Sequence, residues 1–191
     1  MKMKKWLIPG VAGLGVLLAL VSGCRYRDTN NLNASKTSVS WVNYYEGNEL
    51  YLAALNRDKM AISSVQHLPI LKFETVDALE QFKTDFAGQL ELDRGYDEVS
   101  SFADNTKGMD RAYFEKYTVF AVYVPANSGS LRFGVNEIYN DGENFCIHIR
   151  QVNQPDVHTD DMAAWLITVP VEKSAVANCR YFDADLNNGD R

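Results

Sequence analysis

The first 23 residues of this 191-residue chain differ in composition from everything that follows. Three lysines (Lys2, Lys4 and Lys5) precede a predominantly apolar stretch from Trp6 to Val21. A helix needs roughly 20 apolar residues to span a bilayer, so this stretch is short for a membrane anchor. A positive start before a short apolar region is typical of a signal sequence that is removed on export. We therefore expect the fold to be built from the residues after 23.

The apolar stretch ends in Val21-Ser22-Gly23-Cys24, which resembles the lipobox of bacterial lipoproteins. In a lipobox, small residues let the signal peptidase reach the bond before the cysteine. The resemblance implies cleavage before Cys24 and a lipid on its sulfur that attaches the protein to a membrane. The alternative is an ordinary signal peptide that happens to meet a cysteine. We expect an extracytoplasmic protein on the cell membrane, or on the outer membrane if the host is Gram-negative.

The charge of the exported part limits its partners. The whole chain carries a net charge of −6, and loss of the three leader lysines takes the mature part to −9. A strongly acidic domain gains nothing from contacts with phosphates, so we expect no nucleic-acid partner. An acidic surface also gains nothing on anionic lipid, so the acyl chains have to supply the membrane attachment.

The mature chain divides into a tether and one domain. Residues 24–38 are polar and lack apolar periodicity, which predicts a flexible tether with a span on the order of 20 Å. Neither an internal repeat nor a second linker follows. Residues 39–191 are therefore expected to form a single domain.

One helix in this domain is predicted by apolar residues that recur at spacings of three and four. These residues are Val76, Leu79, Phe82, Phe86 and Leu90. Thr75 can cap the start of the helix, and Gly88 is placed to end it. A second, short helix is expected at residues 110–116.

Strand patterns occupy most of the remaining domain. Two strands, 39–46 and 49–55, are expected on either side of a Gly47-Asn48 hairpin turn, with further short strands at 59–65, 68–73 and 179–182. The apolar run 118–124 predicts a buried central strand. Asp141-Gly142 predicts a hairpin between two alternating strands. A strand at 165–171 places Trp165 in the core, and Pro170 places that strand at an edge or near its end. The fold class expected is α+β, a mostly antiparallel sheet with one main helix and a second short helix packed on one face.

The run from Tyr117 to Ser174 resembles the C-terminal domain of the PrcB family, small lipoprotein-associated modules linked to protease complexes. Matching features are a buried strand before the turn Ser128-Gly129-Ser130, a strand with a basic residue at 131–135, the Asp-Gly hairpin, a polar loop with Pro155, and a last strand ending LITVPVEKS. In the family the turn is typically a glycine pair before an aromatic residue, whereas this chain has Ser-Gly-Ser-Leu. The resemblance covers about a third of the chain and implies protein binding. Over a longer span the chain is similar to uncharacterised lipoproteins of clostridia-like bacteria.

Cys146 and Cys179 are the only cysteines besides Cys24. Outside the cytoplasm such a pair can form a disulfide, which would stabilise the domain by roughly 3–4 kcal/mol. Two separate thiols are the alternative, credible if the host is an anaerobe. We expect the disulfide, because strand alternation places Cys146 opposite the core face.

The ionisable residues match no catalytic or metal-binding pattern in the sequence. Asp156, His158, Asp160 and Asp161 share one polar loop, but their spacing fits neither a calcium loop nor a zinc site. Serines 128 and 130 lie in a turn without a G-x-S-x-G motif. His67 is expected to be a packed or surface histidine. We therefore expect no metal and no cofactor, and favour a protein that is not an enzyme.

Aromatic residues give the better argument for function. Trp41, Tyr44, Tyr45 and Tyr51 lie in the first predicted hairpin, and tyrosine and tryptophan are common at contact sites. We assign Trp41 to the core and the three tyrosines to a binding surface. The sequence predicts a non-catalytic module that binds another envelope or surface protein. The alternatives are an extracytoplasmic hydrolase and a small-ligand-binding lipoprotein.

Overall fold

The computed structural model describes residues 36–60, 64–157 and 159–187 of the chain. Cys24, the leader and most of the expected tether lie outside these residues, and so does His158. The described elements, in chain order, are β1 (Ser38–Asn43), α1 (Asn48–Ala53), α2 (Arg57–Met60), β2 (Ile70–Phe73), α3 (Val76–Leu90), α4 (Phe102–Thr106), α5 (Arg111–Lys116), β3 (Tyr117–Ala126), β4 (Phe133–Asn140), β5 (Asn144–Gln151), β6 (Ala163–Glu172), α6 (Lys173–Val176) and β7 (Tyr181–Leu186).

The strands form two sheets. A four-stranded sheet has the order β1-β6-β3-β2 and is antiparallel throughout, and a three-stranded sheet has the order β4-β5-β7. In the second sheet, β4 and β5 are antiparallel and β5 and β7 are parallel. The α+β class with mostly antiparallel strands is confirmed. The strands belong to two sheets and not to the one sheet expected, because the turn at 127–132 carries the chain from the first sheet to the second.

Strands β3 and β6 lie at the centre of the domain, with both faces of their sheet covered. On one face, Phe120 and Trp165 pack in a core that includes Phe145 of the three-stranded sheet. On the other face, Val119 and Leu166 pack in a second core with the helices. Strands covered on both faces read as continuous apolar runs, which explains the run at 118–124. Trp41 and Trp165 are both buried, as expected.

Helix α3 begins and carries its apolar face as predicted. The Thr75 hydroxyl accepts a 3.1 Å hydrogen bond from the backbone N–H of Ala78, and Leu79, Phe82 and Leu90 are buried. The prediction that Gly88 ends the helix is wrong. The helix continues to Leu90 and is capped by Glu91, which takes the left-handed conformation at φ 50° that glycine usually supplies.

The hairpin expected at Gly47-Asn48 is also wrong. Gly47 precedes the first turn of α1, and Leu50 and Ala54, four residues apart, are both buried. Leu52, between them, is 63% exposed, whereas a strand would bury Leu50, Leu52 and Ala54 together, so the pattern belongs to a helix. Helix α2 occupies the start of the strand expected at 59–65, of which residues 61–63 lie outside the described chain. Helix α4 was not predicted from the sequence; it is capped by Ser101, whose hydroxyl accepts from the Asp104 N–H.

Strand β6 is a central strand and not an edge strand. Its last partner in β1 is Thr168, so Pro170 lies beyond the end of β1 and pairs only with Val119 of β3. Proline has no backbone N–H to donate, and it is tolerated here because the strand has no hydrogen-bonded neighbour on one side at this position.

Candidate functional site

Two features of the described chain carry groups that suit binding or chemistry. The first, which we call the α1 surface, consists of Tyr44, Glu46, Tyr51, Leu52 and Leu55. Helix α1 turns Leu50 into the core, and the same geometry points Leu52 towards solvent with 63% of its surface exposed. Leu55, three residues further on, is 45% exposed. Large apolar side chains that are exposed to this degree suit a contact site.

The three tyrosines predicted as a binding surface are half-buried. Tyr45 packs edge-on against Phe86 and donates to Glu49 at 2.8 Å, and a Cβ atom on Gly47 would collide with its ring. Tyr44 donates to Glu46 at 3.1 Å. Burial raises the pKa of Tyr51. Tyr51 directly precedes the exposed Leu52 in α1, whereas Tyr45 packs against Phe86 of α3.

Tyr123, which no sequence pattern marked as a functional residue, holds the backbone of Tyr45 in place. The side chain of Tyr123 is fully buried on β3. Its hydroxyl accepts from the backbone N–H of Tyr45 at 2.9 Å and donates to the carbonyl of Tyr45 at 3.1 Å. Its ring contacts Tyr51 edge-on. Burial raises the pKa of Tyr123 well above its usual range, so the hydroxyl stays neutral.

The second feature is a row of polar residues on β5 and β7, on the side of the three-stranded sheet that faces away from the core. We call it the β5–β7 polar face. Cys146 is paired with Asp183, and His148 with Asp185, across the parallel strands. Side chains two residues apart share a face of a strand, so all four project to the same side. The intervening residues, such as Ile147 and Ala184, face the core.

Three of these groups converge. His148 Nδ1 lies 2.8 Å from Asp185 Oδ1, Cys146 Sγ lies 3.9 Å from Asp185 Oδ2, and Cys146 Sγ lies 4.0 Å from His148 Nδ1. The hydrogen bond to Asp185 raises the pKa of His148, because the carboxylate stabilises the charged imidazole that donates to it. In a catalytic cysteine–histidine–aspartate arrangement, the thiol contacts one nitrogen of the histidine ring and the carboxylate contacts the other. Here both groups approach Nδ1, so this arrangement does not form a catalytic relay.

A second histidine–aspartate pair lies beside the first. His67 forms an antiparallel bridge with Asp185, and its Nδ1 lies 3.0 Å from Asp183 Oδ1. Asp183 also accepts hydrogen bonds from Asn56 at 2.7 Å and Lys59 at 3.0 Å. The expectation that His67 is a packed residue agrees with these contacts. They tie the loop before β2 to β7.

The structure does not join Cys146 to Cys179. Cys146 lies on the β5–β7 polar face, whereas Cys179 Sγ lies 3.4 Å from Asn140 Oδ1 and packs against the core between the sheets. Asn140 is paired with Phe145, whose side chain faces that core, so the two thiols are on opposite sides of the sheet. The expected disulfide is therefore wrong, and the structure agrees with the alternative of two separate thiols. Burial raises the pKa of Cys179.

The loop that carries Asp156, Asp160 and Asp161 is fastened to the turn at residues 128–130. Ser128 Oγ lies 3.0 Å from Thr159 Oγ1 and 2.9 Å from Ser130 Oγ. The Gly129 N–H donates to Asp161 at 3.3 Å, and the hydrogen bond from Thr159 lowers the pKa of Asp161. Among the described residues, these aspartates belong to no group of three metal ligands. The serines therefore hold the loop in place.

Two shallow depressions elsewhere contain none of the predicted site residues. One, of about 300 Å³, is lined by Asp97, Glu98, Val99 and Arg132. The other, of about 280 Å³, lies between the start of α3 and α5 and includes Lys173. None of the helices in the described part of the chain has the length and apolar content to cross a bilayer.

Comparison with known proteins finds no matching family model, no matching curated protein and no matching solved structure. The resemblance of residues 117–174 to the PrcB C-terminal domain therefore remains a hypothesis from the sequence.

Proposed function

We propose that the chain is a lipid-anchored extracytoplasmic protein whose domain binds another envelope or surface protein without catalysing a reaction. The observation that carries the proposal is the α1 surface. Leu52 and Leu55 are exposed on a segment whose backbone is fixed by the burial of Leu50 and Ala54. A preformed apolar surface of this kind loses little conformational entropy on binding.

The charge around the α1 surface indicates the chemistry of the partner. Glu46 and Glu49 are exposed beside the leucines, and the mature chain has a net charge of −9. A partner with apolar side chains at its centre and lysine or arginine at its rim would complement both features. We therefore propose a protein partner with a basic rim.

The anchor is part of the same proposal. Cleavage before Cys24 and lipidation of its sulfur would leave a polar tether that ends where β1 begins, at Ser38. A domain tethered in this way is presented close to the membrane, where its effective concentration towards other envelope proteins is high. The PrcB resemblance points in the same direction, because that family is linked to protease complexes.

A hydrolase is the less favoured alternative. Its strongest candidate residues would be Cys146, His148 and Asp185, but the thiol and the carboxylate approach the same ring nitrogen. Cys146 is also only 2% exposed, so a substrate could not reach the sulfur without rearrangement of the sheet face.

Affinity capture from membranes of the native host tests the proposal. The full-length lipoprotein should capture one protein, identified by mass spectrometry, that captures the lipoprotein in return. Leu52→Glu and Leu55→Glu should each reduce capture at least tenfold, because a buried carboxylate in the contact carries a desolvation cost. Val157→Glu is the matched control, since Val157 is 75% exposed on the loop between β5 and β6.

Two results would count against the proposal. One is capture that is unchanged in both leucine variants. The other is an equal loss in the Val157→Glu control, which would show a general effect of added negative charge.

A further inference from the structure

Three side chains that commonly bind transition metals meet on the β5–β7 polar face. The sulfur of Cys146, a ring nitrogen of His148 and a carboxylate oxygen of Asp185 all lie within 4.8 Å of one another. They come from adjacent parallel strands paired in register, so backbone hydrogen bonds fix their spacing. Within the described part of the chain, no other group of three or more His, Cys, Asp or Glu side chains brings its ligand atoms this close together.

We propose that Cys146, His148 and Asp185 bind a zinc ion or a chemically similar divalent transition metal. In a tetrahedral zinc site, the bond lengths of sulfur, nitrogen and oxygen ligands place the donor atoms about 3.3–3.6 Å apart. The two distances from Cys146 Sγ, 3.9 and 4.0 Å, exceed this by only a few tenths of an ångström. His148 and Asp185 are closer, at 2.8 Å, because they share a hydrogen bond that a metal would replace.

The mixture of ligands selects the class of metal. Calcium and magnesium prefer oxygen ligands alone, whereas a thiolate and an imidazole favour zinc and its neighbours in the transition series. Three protein ligands leave a fourth position for water or another group. The side chains of His148 and Asp185 are each 14% exposed, so that position can be reached from solvent.

Carboxylates around the site favour a doubly charged cation. Asp183 is paired with Cys146 across the strands, and Glu137 of β4 is paired with His148. Only the Lys59 ammonium, 3.0 Å from Asp183, offsets this charge among the contacts of Asp183 and Asp185 described above. Metal binding also converts the thiol to a thiolate, which the positive charge of the ion stabilises.

The neighbouring pair of His67 and Asp183 provides an internal comparison. It has the same histidine–aspartate contact, at 3.0 Å, but within the described part of the chain it belongs to no group of three metal ligands. Its carboxylate is held by Asn56 and Lys59. The pair is therefore explained by its role in fastening the loop before β2, and its variants serve as controls.

Titration of the metal-free full-length chain with Co²⁺ tests the proposal. Cys24→Ala is carried in every sample, so that Cys146 and Cys179 are the remaining thiols. We expect one equivalent of Co²⁺ to produce a near-ultraviolet thiolate-to-cobalt band that Zn²⁺ removes by displacement. Cys146→Ser, His148→Gln and Asp185→Asn should each weaken binding more than about 100-fold, since loss of a second-shell contact alone costs 10–100-fold.

Cys179→Ser and His67→Gln are the matched controls and should keep the band and its stoichiometry. If Cys146→Ser fails to fold, alkylation of the Cys24→Ala chain decides the question. In that experiment Zn²⁺ should protect Cys146 and leave the rate at Cys179 unchanged. The proposal is overturned if no thiolate band appears, if the band survives in a folded Cys146→Ser variant, or if Zn²⁺ leaves alkylation of Cys146 unchanged.

Discussion

Trp41 and Trp165 are directly opposite each other in the register of β1 and β6, and both rings are buried. The guanidinium of Arg94 lies 5.2 Å from the Trp41 ring, and that of Arg132 lies 4.7 Å from the Trp165 ring. Both indole N–H groups are buried, and none of the described residues accepts a hydrogen bond from them. The two tryptophans thus stabilise the fold through burial of their rings and through cation–π contacts. The two buried N–H groups offset part of this stabilisation.

The burial of Trp165 sets the expected cost of removing it. Trp165→Ala should reduce the free energy of unfolding by about 3–5 kcal/mol, and Phe82→Ala in the second core by a similar amount. Trp165→Phe should cost less, because it also removes an unsatisfied buried N–H. Urea titration measures all three, with the exposed Thr84→Ala expected within about 0.5 kcal/mol of the wild type. A loss below 1 kcal/mol for Trp165→Ala would contradict its place in the core.

Asp141 in the β4–β5 hairpin makes stability depend on acid pH. It accepts from the backbone N–H groups of Asn144 at 2.7 Å and Glu143 at 2.9 Å, and from the Tyr139 hydroxyl at 2.9 Å. These bonds, led by that from Asn144, lower the pKa of Asp141 well below its usual range. The pKa of this carboxyl group is about 4 in the unfolded chain and lower in the folded protein. The group therefore stabilises the fold at pH values above about 4, and this stabilisation is lost as the pH falls towards the lower pKa of the folded state.

We therefore expect Asp141→Asn to destabilise the domain by about 1 kcal/mol at pH 7, with allowance for solvent screening. The difference from the wild type should shrink as the pH falls below about 4. Denaturant titrations between pH 7 and pH 2.5 measure it. A difference that stays constant over this range would show that the charge of Asp141 contributes nothing.

The opposite placement of Cys146 and Cys179 predicts their reactivity. Protein prepared from its own host should contain two thiols that react separately. Cys146, 2% exposed, should react more slowly than the half-buried Cys179. Quantitative alkylation with and without denaturant, read by peptide mass, measures both. Quantitative oxidation to a Cys146–Cys179 disulfide would show that the sheet rearranges in the native host.

The lipid anchor is tested by metabolic labelling. Cells fed a labelled fatty acid should incorporate label into the wild-type protein and not into Cys24→Ala, because the lipobox cysteine is the proposed acceptor. The mature wild-type protein should also begin at Cys24 by mass spectrometry. Label that persists in the variant, or that never enters the wild type, would contradict the anchor.

Several elements could be predicted because local signals agreed with one another. Helix α3 combines a capping residue, Thr75, with apolar spacing that matches the buried face. The Asp141-Gly142 hairpin is similar, since Gly142 has a φ of 92° that only glycine adopts freely. Helix α1 was mistaken for a strand because six residues show too few turns for its period to be distinguished.

The β5–β7 polar face could not be predicted from local patterns. Cys146 and His148 alternate with core residues, and so do Asp183 and Asp185, but the first two residues lie 35 or more positions before the last two in the chain. Their parallel pairing depends on how both sheets pack, which no single segment encodes. The alternation of polar and apolar residues in both strands was the signal available in the sequence.

Site-specific photo-crosslinking in the host tests most directly whether the α1 surface binds a protein. A photoreactive amino acid replaces Leu52 in the full-length protein, and in a parallel strain it replaces Val157. We predict an adduct between the Leu52 position and one envelope or surface protein, reduced by Leu55→Glu and absent from the Val157 position. No adduct at Leu52, or the same adducts at both positions, would contradict the proposed function.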